Sequence, residues 1–70
     1  MYDYSKLRGR IIEKFGSMQA FSDAIGTSNV TVSRKLNDVV GISREDIETW
    51  SEKLEIKPEE YGSFYFTRKV

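Results

Sequence analysis

Cysteine and histidine are both missing from this 70-residue chain. No disulfide and no Cys/His zinc site can therefore brace it, and no thiolate or imidazole is on hand for nucleophilic or general-base catalysis. An enzyme is not expected. Proline occurs once, at Pro58. Long apolar stretches are missing too, which excludes a membrane-spanning helix. Tyr2, Asp3 and Tyr4 stand where a signal peptide needs a basic start and an apolar run, so a cytoplasmic protein is expected. A chain this short makes one small domain, residues 1–70, that must hold together by helix packing, with dimerisation as a possible aid.

Net charge is missing as well: 11 Lys and Arg balance 11 Asp and Glu. A DNA-binding domain usually owes most of its affinity to a basic face. The distribution restores part of one. Residues 1–38 carry six cations and four anions, residues 39–60 three and seven, and residues 61–70 add Arg68 and Lys69. The acidic block is confined to one later segment.

What is present is helical periodicity. Leu7, Ile11 and Phe15 recur every four residues, with Ile12 beside them, and Gly16 is placed to end that helix in a left-handed conformation. Ser17 caps a second helix with Phe21 and Ile25 inward, which stops at Gly26. Ser28 caps a third, from Asn29 to about Asn37, with Val32 and Leu36 inward. The segment DVVGI reads as a loop. Ser43 and Asp46 resemble a capping box at the start of a fourth helix that buries Ile47, Trp50 and Leu54. Pro58 opens a short fifth helix, PEEY, expected to end at Gly62. In the tail, Phe64 and Phe66 alternate with Tyr65, a weak strand signal, so an extended C-terminal segment is possible. That tail either folds back over the core or offers an edge to a partner. The expected fold is all-α, a bundle of about five short helices.

Residues 17–37, SMQAFSDAIGTSNVTVSRKLN, have the form of a helix-turn-helix. Small Ser22 suits a close helix crossing and Gly26 suits the turn; a generic helical hairpin would show the same caps. If the second helix docks on DNA, its open face displays Asn29, Val30, Ser33, Arg34 and Asn37, with Ser28 and Thr31 at the edge. Arg34 has the donors for guanine O6 and N7, Asn29 or Asn37 for adenine, and Val30 or Thr31 a methyl for thymine. Ser17, Gln19 and the first amides of the preceding helix would hold a phosphate, with Lys35 and the N-terminal cations adding others. No cofactor is expected: the glycines sit at helix ends and turns, with no Gly-rich phosphate loop. Glu45, Asp46, Glu48 and Glu52 read as a solvated face of the fourth helix rather than metal ligands or an acid–base pair.

The same 21 residues resemble the lambda-repressor-like class of phage regulators. With the opening YDYSKLRGRIIEKFGS and the closing YGSFYFTRKV, nearly the whole chain is similar to small Cro-like proteins of phages and prophages. The resemblance implies a five-helix domain, commonly dimeric, that represses by occupying operator DNA in a lysogeny switch. Some small proteins of such switches are instead modulators, antirepressors that bind the partner phage repressor. Three positions depart from the class: Met18 where Gln is common, Thr27 where a hydrophobic residue often follows the turn glycine, and Asp38 where Gly is frequent. Met18 cannot donate to phosphate, and Asp38 places a negative charge near the expected backbone. The leading expectation is operator binding through residues 28–37; the alternative is antirepression by protein contact.

Overall fold

Five α-helices follow one another in a computed structural model that describes residues 2–69. They are α1 (Ser5–Phe15), α2 (Met18–Ile25), α3 (Asn29–Leu36), α4 (Arg44–Leu54) and α5 (Tyr61–Tyr65), the last preceded by a 3-10 turn, Pro58–Glu60. The fold is the all-α bundle that the periodicity predicts.

Local chemistry sets the boundaries. Gly16 and Gly26 end α1 and α2 at φ 82° and 74°, a region open to glycine at no steric cost. Ser17, Ser28 and Ser43 each accept a hydrogen bond from the amide three residues on, at 3.1 Å in every case. Asp46 closes the capping box at α4 by accepting from the Ser43 amide. Each cap satisfies an amide that the first helical turn leaves without a partner.

Helical geometry then selects the core. Leu7 and Ile11 are fully buried, whereas Ile12, about 100° further round α1, is 48% exposed. Ile12 therefore does not share the buried stripe. Phe21, Val32, Leu36, Trp50 and Leu54 complete the centre, with Phe15, Ile25 and Ile47 packed partly buried against it. Ser22 is buried as its size suggests, its hydroxyl donating to the Met18 carbonyl at 2.8 Å.

The C-terminal expectation needs correction. Gly62 lies inside α5 rather than ending a helix, and Phe64 and Tyr65 are both buried. Two adjacent residues can both face the core on a helix; on a strand they would point to opposite sides. The Tyr65 hydroxyl meets Ser51 Oγ at 2.9 Å, and burial pushes its pKa up to about 12 although that hydrogen bond opposes the shift. The extended tail begins only after Phe66. It is tied to the N-terminal segment by the Asp3 amide donating to the Thr67 carbonyl and by an antiparallel bridge between Tyr2 and Arg68.

Asp46 joins α3 to α4. Its Oδ2 accepts from Lys35 Nζ at 2.6 Å as well as from the Ser43 amide, and both side chains are about four-fifths buried. Burial is the largest influence on this carboxyl and raises it. The Lys35 hydrogen bond, the Ser43 amide, the Lys35 charge and the Ser43 hydroxyl together outweigh burial and hold it below its ordinary 3.8. A carboxyl depressed by folding contributes stability that is complete above its unfolded value and is lost as pH falls through its folded one. Glu55, held down first by the Lys14 hydrogen bond, acts in the same direction. The urea midpoint should thus be flat from neutrality to about pH 5 and fall in more acid solution. Asp46→Asn should lower the midpoint at neutral pH and shrink the acid-dependent loss. An acid profile identical to the wild type would take Asp46 out of that role.

Candidate functional site

Residues 17–37 fold as α2, a tight turn and α3, the element order that the sequence pattern predicts. Gly26 and Thr27 donate back to the Asp23 and Ser22 carbonyls at 3.2 and 3.0 Å, which fixes the angle at which α3 leaves α2. With Val32 and Leu36 buried, Asn29, Val30, Ser33, Arg34 and Asn37 lie exposed, and Ser28 stands exposed at the helix start. Thr31 is half-buried, its hydroxyl 2.8 Å from that of Ser28. Ser17 and Gln19 are exposed on the first turn of α2, and Met18 between them packs against the core.

Several of these groups already have partners. Gln19 Nε2 donates to Asp23 Oδ1 at 2.9 Å. Lys35 is held by Asp46 rather than standing out for a phosphate. Asn37 Oδ1 accepts from Arg8 at 2.5 Å, and the same guanidinium donates to the Leu36 carbonyl at 3.2 Å. Asn37 therefore meets a cation of α1 through the oxygen that would accept from adenine N6.

The N-terminal cations turn inward in the same way. Arg10 donates to the Leu54 carbonyl at 2.9 Å, Lys14 pairs with Glu55 at 2.5 Å, and Lys6 Nζ lies 4.6 Å from the centre of the Phe64 ring. Arg8 and Arg10 thus cover the carbonyl ends of α3 and α4, where a cation suits both the unpaired carbonyls and the helix dipole. Five of the six cations in residues 1–38, Lys6, Arg8, Arg10, Lys14 and Lys35, serve the fold. Arg34 is the sixth, exposed and without a hydrogen-bonding or ion-pairing side-chain partner among the described residues.

Apolar groups stand around it. Val30 is 61% exposed one turn before Arg34, and Val39 is 71% exposed just after α3. The Val39 amide donates to the Arg34 carbonyl at 2.9 Å, which folds the loop back against the helix end. The loop is legible in DVVGI; the exposure of Val39 and Val40 within it is not read from the pattern above. Its signal is two adjacent β-branched residues in a connecting segment too short to bury them.

Small-molecule chemistry has little room. A cleft between the α2–α3 turn and α4, lined by Ile25, Thr27, Lys35, Glu45, Asp46, Thr49 and Trp50, encloses 170 Å³. Another beside α5 encloses 290 Å³. Ligand pockets typically run from about 300 to 1,000 Å³. Among the described residues, no three Asp or Glu side chains gather as metal ligands would, and no helix is long and apolar enough to cross a membrane. The exposed face of α3 and its flanking loop are the candidate site.

Residues 1–68 match the family described as "Protein of unknown function (DUF739)". The chain is also similar to the modulator of repression (MOR) of the temperate bacteriophage TP901-1 from Lactococcus lactis, whose solution structure is known. The two share 42% identity over 99% of this chain and 93% of that one, with a TM-score of 0.84. No curated protein matches significantly. The likeness is to a phage modulator of repression and not specifically to the Cro-like or lambda-repressor-like regulators that the sequence resembles. The chain belongs to the DUF739 family and shares the small helical fold of a phage modulator of repression.

Proposed function

We propose that this protein is an antirepressor, a modulator that binds a partner phage repressor in the bacterial cytoplasm and acts by contact, not catalysis. Its working surface is the exposed face of α3 with Val30 and Arg34. The observation that carries this reading is whole-length similarity to a modulator of repression at 42% identity. The engagement of Lys35, Arg8 and Asn37 within the fold supports it. A face with one unpartnered cation among valines suits a protein better than a row of phosphates.

Operator binding keeps one specific observation in its favour. Ser28 caps α3 as a reading helix requires, and Asn29, Ser33 and Arg34 face outward. Salt dependence separates the two. Counterion release gives an affinity slope of about −0.9 per neutralised phosphate, so a DNA-binder with several contacts weakens steeply as salt rises. The expected result is co-elution with the cognate phage repressor, and no retardation of switch-region DNA at low salt. Tight, steeply salt-dependent retardation without a repressor complex would overturn the proposal.

A further inference from the structure

Six large apolar side chains are exposed among the described residues: Tyr2, Ile12, Val30, Val39, Val40 and Phe66. One helical turn, backbone hydrogen bonds and one ring contact string five of them into a band. Val30 lies one turn from Arg34, and the Val39 and Val40 amides both approach the Arg34 carbonyl, at 2.9 and 3.5 Å. Asp38 Oδ2, next in the loop, accepts from the Tyr2 amide at 3.2 Å. The Tyr2 ring in turn meets Phe66 edge-on at 6.1 Å. Ile12, on α1, is outside this sequence of contacts. A monomeric surface rarely concentrates its exposed apolar groups in this way unless they bind something.

We infer that the loop at 38–40 and the two chain ends extend the α3 face into one composite docking surface for the repressor protein, an inference that rests on the antirepressor reading. Asp38 is its positioning residue. It adopts φ 59° although it is not glycine, a conformation that costs an ordinary residue free energy. Its carboxylate holds the N-terminal segment, and through Tyr2 also Phe66, beside Val39 and Val40.

Charge favours a different protein over a second copy of this chain. Arg34 and Arg68 flank the band, with no ion-pair partner among the described residues. The nearby carboxylates are engaged: Asp38 by the Tyr2 amide, and Asp3 by the Ser5 amide and hydroxyl at 2.9 and 2.6 Å. Two copies meeting through this band would set Arg34 and Arg68 against carboxylates that already hold hydrogen bonds within their own chain, and would supply no further acid. The complementary occupant is an apolar protein surface rimmed with carboxylates.

Titration calorimetry of the full chain against the cognate phage repressor tests the inference. Val39→Ser/Val40→Ser and Phe66→Ser should each weaken binding by about tenfold or more, as expected for apolar groups within a contact. Their thermal transitions should stay close to the wild type, because the residues are exposed. Asp38→Gly should give a melting temperature no lower than the wild type, glycine being at ease at that φ, yet weaken binding by roughly threefold to tenfold. A merely structural Asp38 would not produce that split. Wild-type affinity in all three variants, with the wild type itself bound, would overturn this inference and leave antirepression standing. No binding by the wild type would overturn both. Self-association in sedimentation that the Val39/Val40 and Phe66 changes abolish would assign the band to a second copy instead.

Discussion

Trp50→Ala should leave the chain largely unfolded at room temperature. Trp50 is 2% exposed and meets Phe21 edge-on at 5.2 Å, and Phe21 meets Phe15 at 5.4 Å. This aromatic row runs from the end of α1 through α2 into α4 and fills the space that short helices cannot close with aliphatic residues alone. Truncating a buried Trp to Ala typically costs about 3–5 kcal/mol. A core of this size rarely supplies more than about 3–5 kcal/mol in total, and no disulfide can make up the difference. Far-UV circular dichroism through a thermal ramp should show the cooperative transition lost. Trp50→Phe, which keeps a ring against Phe21, should retain a transition at lower temperature. A cooperative melt for Trp50→Ala within a few degrees of the wild type would mean that the aromatic row is not what holds α2 to α4.

Much of the fold is legible because local chemistry decides it. Ser17, Ser28 and Ser43 cap, Gly16 and Gly26 stop, and the four-residue spacing of Leu7, Ile11, Val32 and Leu36 chooses the buried faces. What escapes is decided at a distance. Phe64-Tyr65-Phe66 alternates like a strand, yet α5 is fixed by Tyr65 reaching Ser51 and by Lys6 and Arg10 lying over Phe64. Tertiary contacts override a weak local pattern there.

The site divides along the same line. Periodicity correctly places Asn29, Val30, Ser33 and Arg34 on an open face of α3. Nothing in spacing alone shows that Arg8 crosses 28 residues to the end of α3, or that Lys35 turns to Asp46. Those two contacts alter the character of the surface most. They convert a face that looked able to clamp phosphates into one with a single available cation. The departures at Met18 and Asp38 point the same way: Met18 packs on the core, and Asp38 hydrogen-bonds to the Tyr2 amide.

If Arg34 is the one charge this face offers a partner, reversing it should do more harm than removing it. Arg34→Ala forfeits an attraction; Arg34→Glu also sets a carboxylate against the partner's acidic rim, where facing like charges cost several kcal/mol. The expected loss in repressor affinity is about tenfold for Ala and about a hundredfold or more for Glu. The fold should survive both changes, because the Arg34 side chain is exposed and bonds to no other side chain among the described residues. A Glu in the last turn of α3 opposes the helix dipole, worth about 0.3–1 kcal/mol, so Arg34→Gln separates that small loss of stability from the loss of binding. On an operator the pattern would differ. Alanine there should cost about 1–3 kcal/mol and relax preference at one base pair. Calorimetry against the repressor and a titration of operator variants, run on the same proteins, decide between the two. Equal repressor affinity for wild type, Arg34→Ala and Arg34→Glu would move the contact off this face of α3 altogether.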